Sequence, residues 1–147
     1  MRVLFVVAAL VLAACSTRVA PTLAPPSGDL VLPTTVPNGR VEIVVKPSYP
    51  NGKDVTLTVR LIPLTGTLRG PLEPYVQASG FSGTRVVKHL VPLPVTATAA
   101  KAADAQLLWD TTDDAGRAVP ADDYSLVLAV IDDQGRRSTV GATITLR

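Results

Sequence analysis

The chain has 147 residues, one domain by length, with 14 Lys and Arg against 12 Asp and Glu and a net charge of +2. That near-balance, without a basic patch interleaved with aromatics, excludes a nucleic-acid binder. One cysteine and one histidine exclude an internal disulfide, a Cys/His dyad and a zinc set.

In chain order, Met1-Arg2 gives a short basic start, Val3 to Leu12 is apolar, and Ala13-Ala14-Cys15 follows. This reads as a secretory signal peptide over residues 1–14. The apolar run is too short to cross a hydrocarbon core, which takes about 20 helical residues. Leu12-Ala13-Ala14-Cys15 resembles the lipobox of bacterial lipoproteins. The resemblance implies cleavage before Cys15 and a diacylglycerol on its sulfur, with the competing reading a free thiol in a plain signal peptide. Acyl chains contribute about 0.8 kcal/mol per buried methylene, so membrane lipid is the first expected partner. Ser16, where an aspartate would favour inner-membrane retention, tilts the expected location in the cell envelope toward the outer membrane.

Ser16 to Asn38 carries five prolines and is rich in Thr, Ser, Ala and Val. Residues 15–38 are therefore expected to be a lipidated Cys15 and a Pro-rich tether, reaching up to ~70 Å at about 3.1 Å per residue. Leu30-Val31-Leu32 is the one part that could pair as a short edge strand. The folded domain is expected over residues 39–147.

Val41, Ile43 and Val45 alternate with Glu42, Val44 and Lys46, the period of a strand with one face buried. Pro47 to Gly52 is turn chemistry. Val55, Leu57, Val59 and Leu61 form the clearest strand of the first half, ended by Pro63. Leu64 to Thr84 reads as a long loop with one short strand, anchored by Tyr75 or Phe81. Arg85 to Val91 reads as a strand of ambiguous facing. Ala99 to Ala105 is expected to form a helical turn.

Gln106 to Asp110 then places Leu107 and Trp109 on one face. Tyr124 to Asp132, apolar on both faces, reads as a central strand, and Val140 to Leu146 alternates as the last one. Short strands broken by Pro, Gly and Asp turns specify an all-β fold, an antiparallel sandwich of about seven strands.

Asp113-Asp-Ala-Gly-Arg117 and Asp132-Asp-Gln-Gly-Arg136 repeat one pattern, in which aspartate caps a turn and glycine supplies the left-handed residue. Asp110, Asp113, Asp114, Asp122 and Asp123 also crowd together as oxygen donors, so calcium is a competing reading, although the spacing matches no EF-hand loop. Trp109 is expected in the core rather than as a sugar-stacking platform. His89 has no nucleophile motif beside it, and no phosphate-binding glycine loop is present. No catalytic residue, metal ligand or cofactor is assigned.

Trp109 to Tyr124 resembles the Ig-like module found toward the C-terminal side of flagellar hook-capping proteins and in many secreted bacterial proteins. That module reads Trp-Asp-Gly-x-Asp-x-x-Gly-x-x-Val-Pro-x-Gly-x-Tyr. Trp109, Asp110, Asp113, Gly116, Val119, Pro120 and Tyr124 match in register, while Thr111 and Asp122 stand where the family has glycine. The resemblance implies an Ig-like sandwich serving as spacer, assembly surface or binding unit. Together these features point to a non-enzymatic, lipid-anchored envelope protein that acts as a structural or protein-interaction module with an envelope protein partner. The competing class is a carbohydrate- or peptidoglycan-binding module, which needs an exposed aromatic row from only six aromatics.

Overall fold

A computed structural model describes residues 28–80 and 83–147 of the chain. The signal-peptide stretch, Cys15, the first part of the tether and Phe81 lie outside the described residues. Ten strands follow one another: β1 Leu30–Val36, β2 Gly39–Val45, β3 Val55–Pro63, β4 Thr67–Arg69, β5 Tyr75–Gly80, β6 Gly83–His89, β7 Thr96–Thr98, β8 Ala103–Trp109, β9 Asp123–Asp132 and β10 Arg137–Thr145. No helical segment occurs among the described residues. The protein is an all-β sandwich of two antiparallel sheets.

One sheet runs β1-β2-β3-β8. The other is built on β9, the longest strand. β10 pairs along the whole of one edge of β9. Its other edge is shared, with β5 beside Tyr124 to Val127 and β4 beside Ile131 and Asp132. Between those two short strands the Ala129 amide donates to the Leu72 carbonyl, so the middle of β9 is also satisfied. β6 and β7 complete the sheet outside β5 and β4.

Period-2 alternation makes the core. Val41, Ile43 and Val45 of β2, Val55 to Leu61 at alternate positions of β3, and Leu107 and Trp109 of β8 point inward. Tyr124, Leu126, Leu128 and Val130 of β9 and Val140, Ala142 and Ile144 of β10 meet them from the other sheet.

Several expectations are corrected. The sandwich has ten strands, not about seven. It also starts before Gly39: Leu30 to Val36 pairs with β2 through seven register positions, so this part of the expected tether belongs to the domain. Pro33 fits because β1 is an edge strand, where a missing N–H leaves no central ladder bond unmade. The long loop of 64–84 contains β4 and β5. The helical turn expected over Ala99 to Ala105 is a strand reversal: Thr98 and Lys101 exchange backbone bonds of 2.9 Å, and β8 begins at Ala103. Tyr49, inside the expected 47–52 turn, is buried and donates its amide to Thr145 O at 2.8 Å, which fastens the turn to β10. Facing on β6 is settled, with Val87 buried and Val86 exposed.

Candidate functional site

The segment between β8 and β9 crosses from one sheet to the other, and its side chains hold that crossing. Trp109 is 0% exposed; its ring meets Tyr124 edge-on at 5.2 Å and its Nε1 donates to Thr112 O at 2.9 Å. The Tyr124 hydroxyl donates to Pro120 O at 2.8 Å, four residues upstream, the bond of a tyrosine corner. Burial, then the negative charge of Asp122, raises the Tyr124 hydroxyl above its ordinary pKa.

Thr111 takes φ 55° and is buried. A β-branched residue is strained in that left-handed region, so the surrounding structure imposes on threonine a backbone shape that glycine adopts freely. Asp122, at the other glycine position, does not have positive φ.

The two Asp-Asp-x-Gly-Arg turns are built alike. Asp113 Oδ1 accepts from the amides of Ala115 and Arg117, and its Oδ2 accepts from Arg117 Nε. Asp132 Oδ1 accepts from Gln134 and Arg136, and its Oδ2 accepts from Arg136 Nε. Gly116 and Gly135 take φ 76° and 77°, the left-handed residue each turn needs. The Arg117 amide and side chain lower the Asp113 carboxyl below its ordinary value. Burial pushes Asp132 upward, but the Arg136 and Gln134 bonds outweigh it and leave it lowered.

The acidic loop also covers the edge of β6. Asp114 N donates to Val87 O at 2.9 Å, and Asp114 accepts from the His89 amide at 2.8 Å and meets its ring Nδ1 at 2.7 Å. Lys88 Nζ reaches Thr112 Oγ1 and Asp113 O. Sequence reasoning placed these residues in a turn but not on a partner strand, because nothing local encodes the 25-residue jump from His89 to Asp114.

The clustered aspartates do not converge on a shared centre. Asp110 accepts from Thr112, Asp113 from Arg117, Asp114 from His89, and Asp123 from Thr145 and Arg147. Among the described residues no group of three or more His, Cys, Asp or Glu is placed to hold a metal. Buried Trp109 offers no face to a sugar ring. Cys15 is outside the described residues, and no described helix is long and apolar enough to cross a membrane.

Two surface features escaped sequence reasoning. The first is the outer edge of β8, which among the described residues pairs with β3 only. Beside it Val91 and Leu108 are 76% and 60% exposed, and shallow depressions join them to Leu90, Leu93 and Gln106. The signal for Leu108 was its place between inward Leu107 and Trp109, which turns it outward. The second is a cleft of about 380 Å³ between the acidic loop and the β5–β6 hairpin, lined by Ala78, Arg85, Val87, Arg117, Val119 and Asp122 among others.

No protein-family model matches the sequence, and no curated protein matches it. Among solved structures the chain is similar to dimeric latent PorU from Porphyromonas gingivalis, with 16% identity and a TM-score of 0.38. The match covers 76% of this chain and 12% of that one.

Proposed function

We propose that this is a non-enzymatic, lipid-anchored envelope protein whose Ig-like sandwich docks a protein partner. The observation that carries the docking reading is the β8 edge. Its outer edge has no strand partner among the described residues, exposed Leu108 and Val91 lie alongside, and among its exposed side chains only Asp104 is charged. Edge strands are normally blunted by charge, proline or a covering loop; the acidic loop covers β6 in this way, whereas β8 stays open. A strand edge with adjoining apolar side chains suits an extended segment that adds a strand and sets its side chains beside them.

The anchor reading rests on Leu12-Ala13-Ala14-Cys15 and the proline-rich stretch after it. It gives the protein membrane lipid as one partner and an envelope protein as the other, with the outer membrane favoured. The resemblance of Trp109 to Tyr124 to the hook-capping Ig-like module supports assembly or spacing as the role, since that module commonly serves so.

Photocrosslinking from position 108 in intact envelopes tests the docking surface. The expected result is one discrete adduct, lost when the same photoreactive residue at 108 is combined with Val91→Glu and Gln106→Glu, whose melting stays near that of the parent because both sites are exposed. An undiminished adduct in that variant rules the β8 edge out. Cys15→Ser should lose both lipid labelling and detergent-phase partitioning; normal labelling of that variant ends the anchor reading.

A further inference from the structure

The cleft beside the acidic loop carries charges that the fold leaves unused. Arg85 pairs across β5 with Ala78, and Ala78 pairs in turn with Tyr124, so the three form one row on one face of the sheet. Alanine in the middle of that row leaves space between the arginine and the tyrosine. The cleft occupies this space, with Val87, Val119, Ala118 and Pro120 adding apolar wall. Its volume of about 380 Å³ falls within the ~300–1,000 Å³ of small-molecule sites.

The polar groups divide into spent and unspent. Arg117 and Asp113 satisfy each other, with Arg117 Nη2 to Asp113 Oδ2 at 2.7 Å. Arg85 forms no ion pair, and every Asp and Glu of the sequence lies among the described residues. Asp122 forms no ion pair among the described residues; its Oδ1 accepts only from the neighbouring Asp123 amide. Arg85, Asp122 and Tyr124 all line this one cleft.

We propose that this cleft binds a free α-amino acid with a small apolar side chain, its carboxylate on Arg85, its ammonium on Asp122 and its side chain against Val87 and Val119. Guanidinium matches a carboxylate with two parallel hydrogen bonds, and the free Asp122 oxygen supplies the opposite charge for an ammonium. An anion alone would meet Asp122 unfavourably, and a cation alone would meet Arg85 so. The apolar wall favours a valine-sized group over a charged one. This site goes beyond the docking reading and uses none of the β8 edge.

Isothermal titration of the full-length protein in detergent with L-valine, N-acetyl-L-valine and L-valine amide tests it. The expected result is saturable binding of valine at one site per chain, with each half-charged analogue at least about tenfold weaker. Arg85→Gln and Asp122→Asn should each weaken valine at least about tenfold; a tenfold loss corresponds to about 1.4 kcal/mol. Both positions are exposed, so unchanged melting of the variants confirms that folding is intact. Val91→Glu with Gln106→Glu should leave valine binding unaltered, which separates this site from partner docking. Absence of saturable binding, equal affinity for the half-charged analogues, or full affinity in either cleft variant overturns the proposal.

Discussion

Trp109 and Tyr124 carry the crossing between the sheets in different ways, and their substitutions separate the two. Trp109 fills the core from β8 and bonds only once through its ring nitrogen, so most of its contribution is buried volume. Replacing it with alanine removes a large apolar surface and leaves a cavity, at a cost of about 3–5 kcal/mol. A domain has only ~5–15 kcal/mol in total, so Trp109→Ala should be unfolded or nearly so. Tyr124→Phe keeps the ring against Trp109 and loses the bond to Pro120 O, at a cost of about 1 kcal/mol. Urea denaturation of the two variants checks both values, and a Trp109→Ala domain with an unchanged midpoint contradicts the core assignment. These two roles were legible because the sequence brackets a turn-rich loop with its largest aromatic and a tyrosine. The strain at Thr111 was legible only as a conflict with a glycine position; its φ of 55° shows that the surrounding bonds prevail over the side chain.

Legibility among the elements follows how much apolar alternation each strand contains. β2 and β3 carry buried residues at every second position, as do Leu107 to Trp109 of β8 and Val140 to Ile144 of β10, so these faces could be read directly, whereas half-buried Ala103 and Ala105 left the start of β8 to be taken for a helical turn. β4 and β7 have three residues each, too few to show a period. β5 was hidden because Val76 is its only large aliphatic residue, and its pairing comes from β9 and β6 rather than from its own pattern. β1 was obscured by Pro33, which an edge strand tolerates, and by Pro37, which sits in the β1–β2 turn; both read as tether chemistry. The β6 covering and the cleft depend on residues brought together by topology, which no local pattern announces. The corrected start of the domain gives a direct comparison between chains beginning at Gly28 and at Gly39. The shorter one lacks β1, loses buried Val36 and half-buried Leu32, and opens the edge of β2. Burial of a valine alone contributes about 1.5–3 kcal/mol. The Gly39 chain should therefore melt well below the Gly28 chain, or aggregate through the bared edge. Equal melting temperatures would return Leu30 to Val36 to the tether.

At the scale of the whole molecule, the acidic residues of the second half form an electrostatic frame around β9. One aspartate turn precedes this strand and the other ends it. The second is tied across to the β1–β2 turn, where Arg136 Nη2 donates to Asn38 Oδ1 at 2.9 Å and Asn38 donates to Asp133. A further pair, Arg60 with Asp104, links β3 to β8 at 2.8 Å. Asp104 is lowered by the Arg60 bond, Asp110 by the Thr112 hydroxyl, Asp113 by the Arg117 amide and Asp114 by the His89 amide. Asp132 is lowered against its burial, as described. A carboxyl whose folded pKa lies below its unfolded value adds stability that is complete above the unfolded value, and that stability is lost as pH falls through the folded one. With an ordinary value of 3.8 for aspartate, the urea midpoint should stay level from neutral pH to about 5, fall below pH 4 and continue falling toward the lowered values. Asp132→Asn removes one titrating group and one partner of Arg136. Its midpoint should be lower at pH 7 and decline less steeply below pH 4, so the two curves converge in acid. Parallel curves for parent and variant would show that Asp132 does not contribute to the acid transition, and a midpoint that rises on acidification would contradict the frame as a whole.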